Sequence, residues 1–126
     1  MRSTIAIILG FFILISISVW IGVQVKHTAE TIQVELNQAE TLIHSNEWSE
    51  ASALIDKTFN NWTSARHWWA IILNHSTLDS IEISYARLQQ FTQNKETSLS
   101  LAELNTLKVL LENIPESESL RLNNIL

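Results

Sequence analysis

Residues 5–25 read IAIILGFFILISISVWIGVQV, and this stretch decides the architecture because it contains no charged side chain. An α-helix rises ~1.5 Å per residue, so the stretch spans ~30 Å, the thickness of the hydrocarbon core of a bilayer. Its hydrophobicity runs all round the helix, whereas a helix of a soluble protein usually has one apolar face. Trp20 and Gln24 stand near its end, where membrane helices place interfacial groups. We therefore predict one transmembrane helix at Ile5–Val25.

A cleavable secretory signal is the competing interpretation of this stretch. Such signals have an apolar core of ~7–15 residues, followed by a small-x-small cleavage site. The apolar core here is longer, and residues 19–22 (VWIG) offer no pair of small residues at that spacing. We therefore expect an uncleaved signal anchor in a single-pass protein of the cell membrane.

The charges that flank the stretch set the expected orientation. Arg2 and the amino terminus precede it, and Lys26 follows it. The positive-inside rule counts Lys and Arg, so the flanks nearly balance and the terminal amine favours a cytoplasmic amino terminus. We expect residues 1–26 to form the cytoplasmic tip and the anchor, and residues 27–126 to form one extracytoplasmic domain.

The residues beyond the anchor carry a net negative charge. All 13 acidic residues lie there, but only six of the eight lysines and arginines do, since Arg2 and Lys26 precede residue 27. This balance argues against a nucleic-acid partner, whose binding depends on cationic contacts with phosphates, and against docking on anionic headgroups. The sequence has no cysteine, which excludes disulfides and thiolate metal sites.

The remaining sequence predicts helices joined by short polar loops. Glycine occurs only at Gly10 and Gly22, and proline only at Pro115. Apolar residues recur at three- and four-residue spacings, which indicates helices rather than strands. The predicted helices span residues 28–44, 48–72 with a kink or break near 60–64, 76–92 and 100–114.

The predicted fold class is all-α, with an N-terminal transmembrane helix followed by a small bundle of about four helices packed as hairpins. No helix breaker separates the anchor from the first soluble helix, so one continuous rod is expected. Ser76 and Ser100 are the predicted N-caps of the last two helices, and Glu103 completes a capping box with Ser100. Pro115 ends the last helix, and the apolar tail 116–126 is expected to dock on the bundle.

Tryptophans are the most unusual feature of the predicted bundle. Trp48, Trp62 and Trp69 follow one another at spacings of 14 and 7 residues, which places them on one helical face. A stripe at helical spacing usually faces the core, where aromatic side chains bury the most area. Trp68 projects away from that face, so it is a candidate for contact with a ligand or a partner, with a core position as the alternative.

His75, Asp79 and Glu82 lie four and three residues apart and share a helical face. Histidine and carboxylates at such spacing bind zinc or a harder cation. The alternative is that they belong to the capped start of a helix and pair with arginines as ordinary ion pairs. Together with Trp68 they are the candidate ligand or partner residues. The sequence predicts no metal site, no cofactor and no catalytic residue, because no nucleophile arrangement or phosphate loop is present.

Four segments carry a family resemblance. They are Asn-Glu-Trp-x-x-Ala (Asn46–Ala51), Trp-Trp-Ala-Ile-Ile-Leu-Asn-His (Trp68–His75), Leu-Asp-Ser-Ile-Glu (Leu78–Glu82) and Leu-Arg-Leu-Asn-Asn-Ile-Leu (Leu120–Leu126). With these segments the chain resembles the domain-of-unknown-function family 4363, small single-pass membrane proteins of Gram-positive, often spore-forming, bacteria. The resemblance implies an uncharacterised companion of a multi-pass membrane protein and carries over no catalytic residue.

Two functional hypotheses follow. The first is a non-enzymatic accessory or scaffold protein that binds a membrane-protein partner, since tethering raises the effective concentration enough for a weak interface. The alternative is an extracytoplasmic ligand- or metal-binding helical module. The sequence leaves the oligomeric state open.

Overall fold

The computed structural model of the chain describes residues 1–114, which fold into five α-helices. The helices are α1 (Arg2–His44), α2 (Trp48–Ser64), α3 (Arg66–Ile72), α4 (His75–Gln93) and α5 (Thr97–Glu112). No strand occurs in residues 1–114, and the predicted all-α class is confirmed. The predicted stop at Pro115 and the predicted docked tail 116–126 lie outside the described residues.

The first helix, α1, carries the apolar stretch directly into the bundle without a break. Its 43 residues extend over ~65 Å at ~1.5 Å per residue. Up to Trp20 no side chain is buried, and this part is long and apolar enough to cross a membrane. The second half has a buried stripe at three- and four-residue spacing: Val25, Ala29, Ile32, Leu36, Ala39 and Ile43. The predicted continuity of the apolar stretch with the first helix of the bundle is thus confirmed.

Two helical hairpins build the bundle, as predicted. The α1 helix packs along α2, and α4 packs along α5. The hairpins meet where α1 contacts α5 and where α2 contacts α4, so the four long helices enclose one core. The largest fully buried side chains are Trp62, Trp69, Tyr85, Ile32, Leu36, Ile43, Ile55, Leu78, Ile81, Leu88, Leu104 and Leu107.

Both hairpins close with the same turn, a Schellman motif, in which the chain beyond a helix bonds back to its last carbonyls. In the first turn, the amides of Asn46 and Glu47 donate to the carbonyls of Ile43 and Leu42, respectively. In the second turn, the amides of Lys95 and Glu96 donate to the carbonyls of Thr92 and Phe91, respectively. The motif needs one residue in the left-handed region, and Asn46 (φ 60°) and Lys95 (φ 55°) take that conformation. Asparagine tolerates it well, whereas lysine adopts it at a steric cost.

The helix predicted over residues 48–72 is in fact two helices, because the chain turns at Ala65. This turn follows the predicted weak segment 60–64, whose Asn, Thr and Ser residues favour helix ends. The Ala65 carbonyl accepts the amides of Trp68 and Trp69 at 3.0 and 3.1 Å. The turn therefore starts α3 at once and gives it a new direction.

The N-cap predicted at Ser76 is wrong. The cap of α4 is Asn74, whose Oδ1 accepts the Thr77 amide at 2.8 Å. Leu73 is extended (ψ 150°), so Asn74 is the first polar side chain available after the turn. Ser76 lies inside the first turn of α4.

The capping box predicted at Ser100 and Glu103 is also wrong. Ser100 is fully buried within α5, and its amide donates to the carbonyl of Glu96 at 2.9 Å. The physical reason is the left-handed turn at Lys95, which lets α5 begin at Thr97. Ser100 is therefore one turn inside the helix and faces the core.

The Asn74→Ala variant should lower the free energy of unfolding by about 1 kcal/mol, because it leaves an amide at the start of α4 without its acceptor. Ser76→Ala is the matched control, since Ser76 caps nothing and alanine is a better helix former than serine. Denaturant unfolding of the two variants in detergent micelles measures the difference. Equal losses in both variants would contradict the assignment of Asn74 as the cap.

One polar pair lies inside the core. The Tyr85 hydroxyl donates to Thr58 Oγ1 at 3.1 Å, and Thr58 Oγ1 donates to the Ile55 carbonyl at 2.8 Å. Both side chains are fully buried. Burial raises the pKa of the Tyr85 hydroxyl above its usual range, because the phenolate would lose its hydration. The folded state therefore favours the neutral phenol.

Stability should accordingly fall in alkaline solution. Unfolded tyrosine titrates near pH 10, so above that pH the unfolded chain releases a proton that the folded chain retains. The contribution is present in full below about pH 10, and the free energy of unfolding should then fall by about 1.4 kcal/mol per pH unit. Tyr85→Phe is the control because Tyr85 is the chain's single tyrosine. Unfolding curves of the two proteins should diverge above that pH, and parallel curves would contradict the prediction.

Candidate functional site

The candidate site lies on α1 where the exposed apolar half of the helix meets the bundle. Ile21 is the first α1 side chain that packs against the core. Val25, one turn further on, is only 3% exposed. The end of the predicted transmembrane stretch Ile5–Val25 thus contacts the rest of the chain.

Trp68 of α3 packs edge-to-face against Trp20 of α1 at this junction. The ring centroids are 5.4 Å apart and the ring planes meet at 80°, a geometry that aromatic pairs prefer. The His67 ring lies 4.7 Å from the Trp68 ring. Trp68 is half-buried, while Trp20 remains 52% exposed. This contact holds α3 at the level of Trp20.

The other three tryptophans divide between the core and its edge. Trp62 and Trp69 are fully buried, and their rings lie 4.8 Å apart across the turn at Ala65. Their indole nitrogens are buried without an acceptor among the described residues. Trp48 is half-buried and packs against the core from the start of α2. The predicted core role therefore fits Trp62 and Trp69 fully and Trp48 in part.

A cleft of about 410 Å³ opens beside the Trp20–Trp68 contact, between α1 and the turn from α2 to α3; we call it the junction cleft. Half of its lining residues are apolar and half are polar, with His27 among the polar ones. Among residues 1–114, no Asp, Glu, Lys or Arg lines it. The lining residues are Trp20, Gln24, Val25, His27, Thr28, Thr31, Ile32, Asn61, Ser64, Ala65, Trp68 and Trp69.

Several polar groups of the junction cleft have no partner in the described part of the chain. The side chains of Gln24, Asn61 and Ser64 make no hydrogen bond with residues 1–114. Thr28 and Thr31 donate to carbonyls of their own helix at 2.9 and 3.0 Å, but their hydroxyl oxygens can still accept. The cleft thus offers both donors and acceptors to a ligand.

Sequence reasoning missed the junction cleft, although its α1 side has a pattern. Polar residues follow Trp20 at helical spacing on one face: Gln24, His27, Thr28 and Thr31. Such a stripe is typical of a solvated helix face, so it does not by itself predict a site. The α3 residues reach the cleft because the chain turns at Ala65, whereas Asn61 and Ser64 reach it where α2 packs along α1.

Of the four candidate residues from the sequence, only Trp68 lines the junction cleft. His75 and Asp79 are exposed in the first turns of α4, and Glu82 is half-buried one turn further on. Within residues 1–114, no three His, Asp or Glu side chains are close enough together to hold a metal ion.

Glu82 forms an ion pair with α3. Its Oε1 accepts a hydrogen bond from Nε of Arg66 at 2.5 Å. This is the ion pair with an arginine that was predicted from the sequence as the alternative to a metal site. The hydrogen bond and the charge of Glu82 raise the pKa of the Arg66 guanidinium above its usual range, and Asp79 adds a smaller effect. The pair connects α3 to α4 at the outer face of the bundle.

A family model matches residues 19–125, which run from the residue before Trp20 through the whole bundle. The chain belongs to the family described as Domain of unknown function (DUF4363). The resemblance found in the sequence is thereby confirmed. Neither a curated protein nor a solved structure matches the chain. The family match contains all residues of the junction cleft but hardly any of the exposed apolar half of α1.

Trp68→Leu should loosen the junction between α3 and α1. An edge-to-face aromatic contact is worth about 1 kcal/mol, so amide hydrogen exchange through local opening of α3 should become about fivefold faster. Hydrogen–deuterium exchange with mass spectrometry measures this in detergent micelles. Trp48→Leu, at the other end of α2, is the control and should leave exchange in α3 unchanged. Equal exchange of α3 in wild type and Trp68→Leu would show that the contact does not hold this helix.

Proposed function

We propose that this chain is a single-pass, membrane-anchored accessory or scaffold protein without enzymatic activity, which presents its helical bundle to a membrane-protein partner. The bundle stands on the extracytoplasmic side, with the amino terminus in the cytoplasm. The observation that carries the proposal is the continuity of α1, which joins an exposed apolar cylinder to a buried core stripe without a hinge.

The exposed half of α1 supports an anchor. The 18-residue apolar window has no buried residue, so nothing in the described chain covers it. Residues 3–20 contain no charged side chain, precede the first contact with the core and span ~27 Å, close to the ~30 Å of a hydrocarbon core. In water such a cylinder would be an apolar surface far larger than soluble monomers expose.

The junction supports an uncleaved anchor over a removable signal sequence. Cleavage after Trp20, Ile21 or Gly22 would separate Trp20 from the bundle, and Trp68 would lose its aromatic partner. Because the core stripe begins at Val25, α1 is a structural part of the bundle as well as its attachment.

The acidic bundle supports a protein partner over a lipid surface. Anionic headgroups repel an excess of carboxylates, so the bundle gains nothing from lying flat on such a membrane. Anchoring confines it to a thin layer, where even a modest interface suffices for binding.

Cysteine accessibility tests the anchor and its orientation, because the chain has no native cysteine. Ser98→Cys at the exposed start of α5 should react with a membrane-impermeant maleimide in intact cells. Ser3→Cys at the start of α1 should react only after permeabilisation. The reverse pattern would overturn the orientation, and release of the chain by alkaline carbonate would overturn the anchor.

Affinity purification from detergent-solubilised membranes of the native host tests the partner. We expect one membrane protein to co-purify with the full chain. It should also co-purify with a variant whose residues 2–19 are replaced by an unrelated membrane span, because the bundle makes the contact. If no membrane protein co-purifies, the scaffold proposal fails; if it is lost only in the replaced variant, the contact lies in the membrane instead.

The junction cleft favours a second candidate function, a ligand-binding module. It has the volume of small-molecule sites, which range from ~300 to ~1,000 Å³, and the mixed apolar and polar lining typical of them. This function is compatible with the scaffold role, since the cleft occupies one side of the bundle only. A thermal-shift panel of metals and small metabolites tests it, and no shift across the panel would exclude it.

A further inference from the structure

We infer that the junction cleft binds an uncharged sugar, presented to it at the membrane surface as the headgroup of a glycolipid or supplied free in solution. This inference rests on the proposed membrane anchoring only for the height of the cleft above the bilayer. The selection of a sugar comes from the lining of the cleft alone.

The absence of formal charge in the lining selects the class of ligand. A phosphate or carboxylate is normally met by Arg or Lys, and an ammonium group by a carboxylate. Within residues 1–114, no Arg, Lys, Asp or Glu side chain lines the junction cleft. A phospholipid headgroup would therefore leave its phosphate unmatched there, whereas a neutral polyhydroxyl compound loses no ionic contact.

The hydrogen-bonding groups fit hydroxyls. The amides of Gln24 and Asn61 each donate and accept, and so does the Ser64 hydroxyl. None of the three is engaged within residues 1–114. A sugar hydroxyl also donates and accepts, so the hydroxyls of one sugar can form hydrogen bonds with Gln24 on α1 and with Asn61 and Ser64 on α2. The Thr28 and Thr31 hydroxyl oxygens add acceptors on the same wall.

Aromatic rings at the rim fit the rest of a sugar. A pyranose ring has an apolar face of C–H groups, which packs on indole surfaces through dispersion and weak C–H contacts. Trp20 and Trp68 meet at 80°, so they present an aromatic corner to the cleft. The volume of about 410 Å³ lies within the range of small-molecule sites.

The cleft is at the right height for a lipid headgroup. It follows α1 from Trp20 to Ile32, which is ~18 Å along the helix axis. The polar layer of each leaflet is ~5–8 Å thick, and it begins where the exposed apolar part of α1 ends. The lower part of the cleft therefore lies within the headgroup layer, and its upper part faces water.

Fluorine NMR of the full chain labelled with 5-fluorotryptophan tests the inference. The five tryptophans give five resonances, assigned with single Trp→Phe variants. The chain is placed in vesicles of phosphatidylglycerol with and without diglucosyl diacylglycerol. A parallel arm titrates maltose into the chain in a polyoxyethylene detergent, which contains no sugar. We expect the Trp20 and Trp68 resonances to shift with the glycolipid, while the Trp48 resonance stays in place.

Substitutions identify the site. Asn61→Leu should weaken sugar binding about tenfold, because it removes hydrogen bonds to the ligand while preserving the size of the side chain. Asn60→Leu, on the adjacent exposed position of α2, should leave binding unchanged. Gln24→Leu on α1 provides a second test that does not depend on the folding of the α2 variant.

The arms separate the outcomes. A shift with glycolipid alone supports recognition of the lipid-linked sugar, and a shift with maltose as well supports recognition of the sugar from either source. If neither sugar shifts the Trp20 and Trp68 resonances, the inference is overturned. It is also overturned if these resonances have the same positions in vesicles with and without the glycolipid. A chain that fails to sediment with vesicles refutes the proposed anchoring instead, and the maltose arm then still decides what the cleft binds.

Discussion

The rest of the structure depends on one constraint: α1 packs against the bundle only along its second half, and there with one face. Val25 begins a buried stripe that runs to Ile43. The helices α2 and α5 pack against α1. Before Trp20, no side chain of α1 is buried by any other part of residues 1–114. Because an α-helix transmits rotation and tilt along its axis, the bundle's orientation is coupled to that of the exposed half. The Trp20–Trp68 contact strengthens this coupling at the point where the packing starts.

The fold could be predicted largely from periodicity and from the near absence of glycine and proline. The buried stripe of α1 and the tryptophans Trp62 and Trp69 follow directly from helical spacing. Helix starts could not be placed in the same way, because serine, threonine and asparagine precede almost every helix in this chain. Which of them caps depends on the backbone of the preceding turn, which is extended at Leu73 and left-handed at Lys95. Ser100 consequently lies in the core instead of at a helix end.

The candidate site was harder to predict because it is not local in sequence. His75, Asp79 and Glu82 attract notice by their spacing on one helix, yet Glu82 pairs with Arg66, and only Trp68 of the four candidates lines the cleft. The junction cleft combines a polar stripe of α1 with residues beyond position 60, which meet it through the packing of α2 on α1 and through the turn at Ala65. Each contribution resembles an ordinary solvated surface when taken separately. Proximity in space, which no spacing rule supplies, makes them a site.

The two Schellman turns have a consequence for how the chain acquires its structure. Each turn closes a hairpin from residues that are neighbours in sequence, α1 with α2 and α4 with α5. Contacts between such neighbours form with little loss of chain entropy, which favours rapid folding. The meeting of the two hairpins, through α1–α5 and α2–α4, requires distant segments to find each other, and so does the contact of α3 with α1. We therefore expect assembly to proceed by docking of the two hairpins, so that a chain emerging slowly from synthesis can complete the first hairpin before the second exists.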